Sequence, residues 1–368
     1  MRILIVLHKA KKKGGMVLQH LKMSEEFKKL GHEISIFSFD TYLVSKNIFA
    51  DHVKILRELK AHIKKYKPSI ILTSDPYFTT LFSLITKNKD SLICLRVGAR
   101  YHPFYTARLI DKLSPNKMYV SLYFFINFIL KQLDKLILRK ANLVIFNSKY
   151  LKRYYSKYTR NSKVIYNGVS KIADLEPKVN TPIKLIFVGR IEPRKSLEII
   201  IQALNKLEKE KIDFTFSLVG NYKQFPDYWL KIEKMIKRNN IKEKIILLNE
   251  IPNNDLPEIL VKHDILLFSS DERNFPMTEG LPNVILEGMA NGLAIIATSV
   301  AGVPEIVSEE NCCLVEPNPL DFAEKIVILI KNKHKLLEIK NKNISKIKNN
   351  FSISKTSKEY IIEFEKLI

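Results

Sequence analysis

The stretch FVGRIEPRK at residues 187–195 joins a predicted strand to a predicted helix. The apolar run Lys184–Val188 leads into it, and a helical pattern begins directly after Lys195. A strand followed by a helix is the unit from which parallel α/β sheets are built. The same alternation continues in both directions along the chain, which predicts an α/β protein.

Apolar runs that predict strands occur on both sides of this stretch. The second half of the chain contains Lys184–Val188, Thr215–Val219, Lys244–Leu248, Ile265–Ser269, Ala294–Thr298 and the short Leu314–Val315. The first half contains Ile3–Leu7, Glu33–Phe39, Ile70–Thr73, Leu92–Arg96, Leu143–Phe146 and Lys163–Tyr166. Helices are predicted at about Val17–Leu30, 51–66, 77–87, 117–140 and Ser354–Leu367. Residues 340–350, rich in Lys and Asn, show only weak apolar periodicity.

Residues 171–182 carry turn-forming residues and little periodicity, so they are predicted to be a linker. The chain then divides into a domain at 1–170 and a second domain at 183–351, with the helix at 354–368 expected to pack back on the first. The pattern predicts two Rossmann-like, doubly wound parallel-sheet domains that face each other across a cleft. Ligands of such sheets bind at the carboxyl ends of the strands.

The composition narrows the class of protein. Of the 368 residues 46% are hydrophobic, and Gly and Pro number only 11 and 15, which excludes intrinsic disorder and collagen-like chains. The three cysteines, Cys94, Cys312 and Cys313, lack CxxC spacing, so neither a zinc ribbon nor a disulfide scaffold is expected. A reducing, cytoplasmic location is the expectation.

The net charge of +23 is unevenly distributed. Residues 1–180 hold 34 Lys and Arg against 12 Asp and Glu, whereas residues 181–368 hold 27 against 26. A lysine-rich genome explains the lysines of both halves but not the shortage of acids in the first half. A basic surface that faces anionic lipid, an anionic acceptor or nucleic acid is the alternative.

Several nucleotide-binding motifs are missing from the sequence. No two glycines are separated by one residue, and no glycine is followed by Lys, which argues against a nicotinamide dehydrogenase and a P-loop NTPase. Aspartates at D-x-D spacing are also missing, so no protein-held metal is expected.

Two loops of the sequence suit a phosphate ligand. Gly14-Gly15 comes before the first helix, where a close backbone approach and a helix N-terminus favour phosphate, although a flexible loop would also explain the pair. Arg190 ends a strand and Lys195 precedes a helix, so both cations can clamp a diphosphate in the crevice. The alternative is a solvated basic loop beside Glu192.

The stretch EGLPNVILE at residues 279–287 places two carboxylates around a helix start. Pro282 suits the first helical position and Gly292 closes the helix, so Glu279 lies ahead of it and Glu287 inside it. A carboxylate near a sugar accepts hydrogen bonds from its hydroxyls, and a second can bind both ribose hydroxyls. An ordinary amphipathic helix is the alternative for either glutamate alone. Asn167-Gly168-Val169 is interpreted as a structural turn.

These motifs in this order resemble the retaining family 4 glycosyltransferases of GT-B fold. The resemblance is carried by Gly14-Gly15, Asn167-Gly168-Val169, Gly189-Arg190 with Lys195, Glu279 with Glu287, and Ala301-Gly302-Val303-Pro304-Glu305. It extends over nearly the whole chain and is most specific from Phe268 to Val307. It implies a donor that is a nucleoside-diphosphate sugar, with no cofactor and no metal.

The resemblance also implies roles for the matching residues. Arg190 and Lys195 resemble the pair that neutralises the donor diphosphate and stabilises the departing nucleotide, and Glu279 resembles the residue that binds sugar hydroxyls. The other implied donor-binding residues are Gly15, Gly189, Glu250, Ile251, Gly280, Leu281, Pro282, Asn283 and Glu287. The implied reaction retains the anomeric configuration, by front-side displacement in which the leaving phosphate helps to deprotonate the acceptor.

The sequence departs from the family pattern in three places. Arg96 stands where many relatives have a catalytic His at the end of the fourth strand, with His102 a little later, so these two are the candidates for an N-terminal catalytic contact. Ser170 stands where many relatives have Asp. An extra stretch, Asp271–Thr278, precedes Glu279 and is expected to shape the sugar pocket.

The predicted helix at 117–140 contains a nearly all-apolar stretch at 119–130, with Lys117 before it and basic residues after it. The stretch is too short to span a bilayer, but an aromatic segment flanked by cations suits an interfacial helix. A buried core helix is the alternative. We expect the first domain to dock on the cytoplasmic face of the membrane and to take an anionic or lipid-linked glycan acceptor in polysaccharide (lipopolysaccharide or capsule) or glycolipid synthesis.

Three other functions compete with this one. A nucleic-acid-binding module fits the charge, but no groove-reading element or aromatic platform is apparent, so no nucleic acid is expected. Another GT-B-like enzyme, such as a sugar-nucleotide epimerase or a phosphorylase, explains the two glutamates less well. A non-catalytic scaffold does not explain the paired cations.

Overall fold

The computed structural model describes residues 1–8, 15–43, 48–74, 76–100, 129, 132–174, 176–271, 278–308 and 313–368. The chain forms two compact units. The first unit consists of Met1–Gly168, Pro276–Leu281 and Ile353–Ile368, and the second of Val169–Phe275 and Pro282–Ser352. Within the described part, no helix has both the length and the apolar character needed to cross a membrane.

The first half of the chain alternates strands and helices as predicted. Its strands are β1 (Arg2–Leu7), β2 (Glu33–Ser38), β3 (Ile70–Thr73), β4 (Leu92–Val97), β5 (Ala99–Arg100), β6 (Leu143–Phe146) and β7 (Ser162–Val164). Its helices are α1 (Gly15–Lys29), α2 (Ile48–Tyr66), α3 (Leu81–Thr86), which follows a π-helical turn at Pro76–Thr80, and α4 (Lys149–Tyr155). Residues 129 and 132–140 of the predicted helix at 117–140 are also helical, and its remaining residues lie outside the described ones.

Six of these strands form a parallel sheet in the order β2-β1-β3-β4-β6-β7. Successive side chains of β1 enter opposite cores: Ile5 packs in the core that also holds Phe27 of α1, and Val6 packs in the core of the other face. Strands buried on both faces read as continuous apolar runs, which is why the sequence predicts them well.

The second half of the chain repeats this arrangement. Its strands are β8 (Ile183–Val188), β9 (Phe214–Val219), β10 (Ile245–Leu248), β11 (Ile265–Phe268), β12 (Thr278–Glu279), β13 (Ala294–Thr298) and β14 (Cys313–Val315). Its helices are α5 (Leu197–Lys209), α6 (Pro226–Arg238), α7 (Leu256–Leu260), α8 (Asn283–Ala290), α9 (Pro319–Lys331), α10 (Lys333–Asn350) and α11 (Ile353–Glu365). The sheet order is β10-β9-β8-β11-β13-β14, again parallel, so the predicted class of two parallel-sheet α/β domains is confirmed.

Two short strands pair outside the large sheets. In the first unit, Thr278 and Glu279 of β12 pair antiparallel with Arg100 and Ala99 of β5. The sequence predicts a loop at Glu279, because a two-residue strand has no periodicity to detect. The pairing fixes the backbone of Glu279 beside the end of β4.

The helix α10 includes residues 340–350, where the sequence shows only weak apolar periodicity. Its buried residues include Lys340 and Asn343, which interrupt the apolar stripe. Both side chains are satisfied by hydrogen bonds: Lys340 Nζ donates to Asp264 Oδ1 over 2.9 Å, and Asn343 Nδ2 donates to the carbonyl of Leu293 over 2.8 Å. The polar residues of α10 can therefore be buried, because Asp264 and Leu293, which are distant in the chain, accept their hydrogen bonds.

Asp264 also holds the segment that precedes β8. Its carboxylate accepts hydrogen bonds from the backbone N–H of Asn180 (3.1 Å) and the backbone N–H of Lys184 (2.9 Å). Residues of the predicted linker at 171–182 are thereby fixed to the second unit, in which Val169–Phe275 is contained.

Candidate functional site

The carboxyl ends of β8, β9 and β10 are brought close together in the second unit. The N–H of Gly189 donates to the carbonyl of Val219 over 3.0 Å, and the N–H of Gly220 donates to the carbonyl of Leu248 over 3.2 Å. A methyl group on Gly220 would lie 1.9 Å from the carbonyl oxygen of Gly189, so a glycine is required there. This edge presents backbone that a ligand can approach.

Two arginines that follow β8 share one carboxylate, that of Glu192. Glu192 is buried and accepts from Arg194 Nη2 over 2.9 Å, while its other oxygen lies 3.2 Å from Nη1 of Arg190. The Arg194 side chain is 10% exposed, whereas that of Arg190 is 54% exposed. Arg194 is therefore a fixed part of the loop, and Arg190 can turn from Glu192 to an incoming anion.

Lys195 ends the 3₁₀ turn Pro193–Lys195 and is 8% exposed. Its Nζ lies 4.5 Å from the ring centroid of Phe268, the last residue of β11, and its carbonyl accepts a hydrogen bond from Ser269 Oγ over 2.5 Å. Because β11 is the neighbour of β8, this cation–π contact holds the ammonium at the carboxyl edge of the sheet.

Glu250 and Ile251 follow β10. Glu250 is exposed, and its Oε2 accepts from Asn221 Nδ2 over 3.2 Å, while Asn221 Oδ1 accepts from the N–H of Lys223 over 2.9 Å. The hydrogen bond joins the loop after β10 to the loop after β9. The predicted base-binding segment thus lies on the same edge of the sheet as the Gly189 loop.

The helix α8 begins one residue later than the sequence predicts. Pro282 is the N-cap rather than the first helical residue, Asn283 begins the helix, and Gly292 follows its end in the left-handed region at φ 72°. Glu287 lies in the second turn and is half-buried, and its carbonyl accepts from Asn291 Nδ2 over 2.8 Å.

The first unit brings together a different set of predicted residues. Gly15 is exposed and begins α1, and Glu279 is half-buried beside Ala99 through the pairing of β12 with β5. A methyl group on Gly280 would lie 2.3 Å from Asn147 Oδ1 and 2.3 Å from the carbonyl oxygen of Gly98. Gly280 is therefore packed directly against the ends of β4 and β6, with Leu281 buried next to it.

Arg96 is buried in β4, and its Nη2 donates to Asn167 Oδ1 over 2.5 Å. The predicted structural turn at 167–169 thus supplies a partner for a buried charge. His102 lies outside the described residues, as do 272–277 of the predicted extra stretch and most of the apolar stretch at 119–130.

The sequence pattern does not assign roles to Glu192, Gly220 or Asn147. An acid between two arginines is a visible signal for Glu192, and a lone glycine after a strand is one for Gly220. Asn147 follows β6 and has no such signal, because its contacts come from residues about 50 and 130 positions away in the chain. Within the residues that the structure describes, no three His, Cys, Asp or Glu side chains gather to hold a metal ion.

Two family profiles match the chain, one in each half. The profile described as "Glycosyltransferase Family 4" matches residues 13–171, and the profile described as "Glycosyl transferases group 1" matches residues 182–332.

Relatives of the chain are also named glycosyltransferases. The uncharacterized glycosyltransferase MJ1178 of Methanocaldococcus jannaschii is 35% identical over 196 residues, which are 52% of this chain and 50% of MJ1178. MJ1069 of the same organism is 25% identical over 365 residues, 94% of this chain and 87% of MJ1069. The putative colanic acid biosynthesis glycosyltransferase WcaL of Escherichia coli K12 is 23% identical over 130 residues, 35% of this chain and 31% of WcaL.

A solved structure shares the fold along the full length. Anabaena Alr3699/HepE in complex with UDP superposes with a TM-score of 0.75 at 17% identity, covering 100% of both chains. The chain therefore carries the two domains of a GT-B glycosyltransferase, a Family 4 domain followed by a group 1 domain.

Proposed function

We propose that this chain transfers a sugar from a nucleoside-diphosphate sugar to an acceptor, with retention of configuration and without a metal. The observation that carries the proposal is the pair of cations at the carboxyl edge of the second sheet. Arg190 is exposed and held by Glu192, and the ammonium of Lys195 is fixed over Phe268. Two cations at the strand ends of a group 1 domain fit a diphosphate that carries two negative charges.

The two cations have distinct parts in this reaction. Lys195 is already fixed by its cation–π contact, so it stabilises charge on the leaving diphosphate at little cost in reorganisation. Arg190 must leave Glu192 to do the same, and the diphosphate replaces that carboxylate as its partner. Charge that develops on the departing nucleotide is then neutralised by side chains alone.

The other donor contacts follow the resemblance to family 4. Glu279 binds sugar hydroxyls, helped by the segment Gly280 to Asn283, and Glu287 binds the ribose. Glu250 and Ile251 contact the base. Gly15 and Gly189 allow the backbone to approach the diphosphate.

UDP is the first nucleotide to test, because Anabaena HepE, which shares the fold, has been solved with it. Purified full-length protein would be incubated with UDP-, GDP- and ADP-sugars and a membrane lipid extract, and products followed by mass spectrometry with and without EDTA. We expect one donor to be consumed equally in both conditions. The anomeric configuration of the product, determined by NMR, should match that of the donor.

Several outcomes would contradict the proposal. If no donor is consumed, the transferase proposal is wrong, and if the configuration inverts, the retaining mechanism is wrong. A donor that changes to its epimer without any acceptor would identify a sugar-nucleotide epimerase instead.

Variants test the residue roles directly. Lys195→Ala is expected to lower the transfer rate by about 100- to 1000-fold, because removing one preorganised charge-stabilising group typically costs that much. Glu279→Ala should have a comparable effect, since the sugar loses a partner. The thermal transition should change little in either. The exposed residues Lys234 and Glu243, changed to Ala and Gln, are matched controls, and wild-type turnover in Lys195→Ala or Glu279→Ala would refute the assignment.

The acceptor is proposed to be an anionic or lipid-linked glycan reached at the cytoplasmic face of the membrane, with 117–140 as the contact. The support is the excess of basic residues in 1–180 and the aromatic segment flanked by cations. The name of WcaL supports a place in polysaccharide synthesis. Vesicle flotation tests the membrane contact: binding to anionic but not neutral vesicles is expected, and failure to bind either would end this part of the proposal.

A further inference from the structure

The first unit contains a buried arginine without a carboxylate partner. Arg96 is 2% exposed and lies near the carboxyl end of β4. Its Nη2 donates to the neutral side chain of Asn167, and its Nη1 has no hydrogen-bond partner among the residues that the structure describes. Burial of an uncompensated charge is costly, because the protein interior replaces the water that would otherwise solvate it.

The groups around Arg96 supply no negative charge. His20 of α1 donates from Nδ1 to the carbonyl of Met16 over 2.9 Å, and burial together with the charge of Arg96 lowers the pKa of His20 to about 3. Burial raises the pKa of the Tyr360 hydroxyl and of the Cys94 thiol, so both stay protonated at neutral pH. The described groups that are shown to interact with the Arg96 guanidinium, Asn167, His20 and Tyr360, are thus all neutral.

Arg96 Nη1 lies beside Gly98, near the carboxyl end of β4. A methyl group on Gly98 would lie 3.7 Å from Arg96 Nη1, 3.7 Å from Asn147 Nδ2 and 3.2 Å from Cε of Met16. Gly98 is partly exposed, and the atom that lies nearest to this position is Cε of Met16, the far end of a flexible side chain. Met16 belongs to the first turn of α1, which contains no acidic residue, and the N-terminal end of a helix favours negative charge.

We propose that the position over Gly98 is a phosphate-binding site, in which a phosphoryl group displaces the end of the Met16 side chain and accepts hydrogen bonds from Arg96 Nη1 and Asn147 Nδ2. A tetrahedral phosphoryl group offers several oxygens to the two donors, one from a strand and one from a loop, beside a helix N-terminus. The site deepens the proposed transferase function, because the phosphoryl group belongs either to the donor diphosphate or to a phosphate of the acceptor.

The test measures phosphate binding by the full-length chain, by titration calorimetry at constant ionic strength with chloride as the replaced anion. The probes are inorganic phosphate and UDP. Arg96→Gln should lower the affinity for at least one probe about tenfold, the size expected for a lost hydrogen bond to a charged group. The exposed Arg160→Gln removes the same charge elsewhere in the first unit and should leave both affinities unchanged.

A second variant supplies an internal carboxylate without changing the size of a side chain. Asn167→Asp places a negative group where Asn167 now accepts from Arg96, so the guanidinium gains a partner. We expect its Tm without phosphate to rise and its Tm shift on adding phosphate to disappear. This variant carries the test even if Arg96→Gln does not fold.

The two probes separate the possible sources of the phosphoryl group. If it belongs to the donor, Arg96→Gln weakens UDP, and saturating UDP blocks phosphate. If it belongs to the acceptor, UDP affinity is unchanged and phosphate still binds to UDP-saturated protein. Equal phosphate and UDP affinities in wild type, Asn167→Asp and, where it folds, Arg96→Gln would overturn the site. Phosphate binding at Arg96 without sugar transfer would overturn only the proposed function.

Discussion

Arg96 of the first unit and Lys340 of the second are long cationic side chains of equal burial, but their partners differ. Lys340 of the second unit is 2% exposed, and its Nζ donates to the carbonyl of Lys178 (2.6 Å), the carbonyl of His263 (3.2 Å) and Asp264 Oδ1 (2.9 Å). Arg96 of the first unit is equally buried, but the partners shown for it, Asn167 and Tyr360, are neutral. We infer from this difference that Lys340 serves the fold, whereas Arg96 is neutralised by the proposed phosphate ligand.

The largest expected effect on stability comes from breaking the buried ion pair of Lys340 and Asp264. Asp264→Ala removes the acceptor of Lys340 and of two backbone N–H groups, so the free energy of unfolding of the second unit should fall by about 3–5 kcal/mol. Chemical denaturation of the full chain would measure it.

The exposed pair of Lys342 and Glu338 offers the control. Lys342→Met should leave the same transition unchanged, because solvent screens the pair. If Asp264→Ala were as stable as wild type, the burial of Lys340 would not depend on its counterion. The lack of a counterion at Arg96 would then not indicate a ligand.

The stability of the first unit should depend on pH through His20, whose pKa is lowered by burial and by the charge of Arg96. The pKa of His20 is lowered from 6.5 to about 3, so between these values the unfolded chain binds a proton that the folded chain does not. Stability contributed by neutral His20 is present above pH 6.5 and is lost as the pH falls, by about 1.4 kcal/mol per pH unit. At pH 5 the loss is about 2 kcal/mol.

The variant His20→Leu should therefore have a flatter stability profile than wild type between pH 6.5 and 4.5. Denaturation at several pH values would show the change in slope, and the exposed His334→Gln is the matched control. A slope in His20→Leu equal to that of wild type would show that His20 is not held neutral beside Arg96.

The smallest expected effect concerns Arg190, whose counterion is present but replaceable. Glu192→Gln leaves the shape of the loop but removes the carboxylate that competes with a diphosphate for Arg190. We expect UDP to bind about three- to tenfold more tightly, because no carboxylate at position 192 competes with the diphosphate for Arg190. Calorimetry with UDP would measure the change, with the exposed Glu258→Gln as control. Unchanged or weaker binding would mean that Glu192 positions Arg190 rather than competing for it.

The sequence predicts the sheets more completely than it predicts the connections between them. Strands such as β11 are short, continuous apolar runs, and their burial on both faces explains why the run is visible. The helix α10 was not predicted as one element, because Lys340 and Asn343 break its stripe and are satisfied only by residues far away in the chain. The pairing of β12 with β5 is equally non-local.

The residues of the candidate site also differ in how well the sequence predicts them. Arg190 and Lys195 could be named from the sequence, since a position directly after a parallel strand is a ligand edge in any such sheet. The shared carboxylate of Glu192 and the ring beneath Lys195 depend on side-chain geometry that spacing does not encode. Arg96 drew attention only as a departure from the family pattern, and its lack of a counterion became visible in three dimensions.

The helix α11 has a consequence for how the protein is made. Tyr360 and Phe364 of this helix pack in the same core as Ile3 and Phe27, although they are the last large side chains of that core to be synthesised. The second unit, whose residues end at Ser352, does not need α11 to complete its own core. We expect the part of the chain that is translated first to finish folding last, so a premature stop before α11 would expose the apolar core residues against which α11 packs.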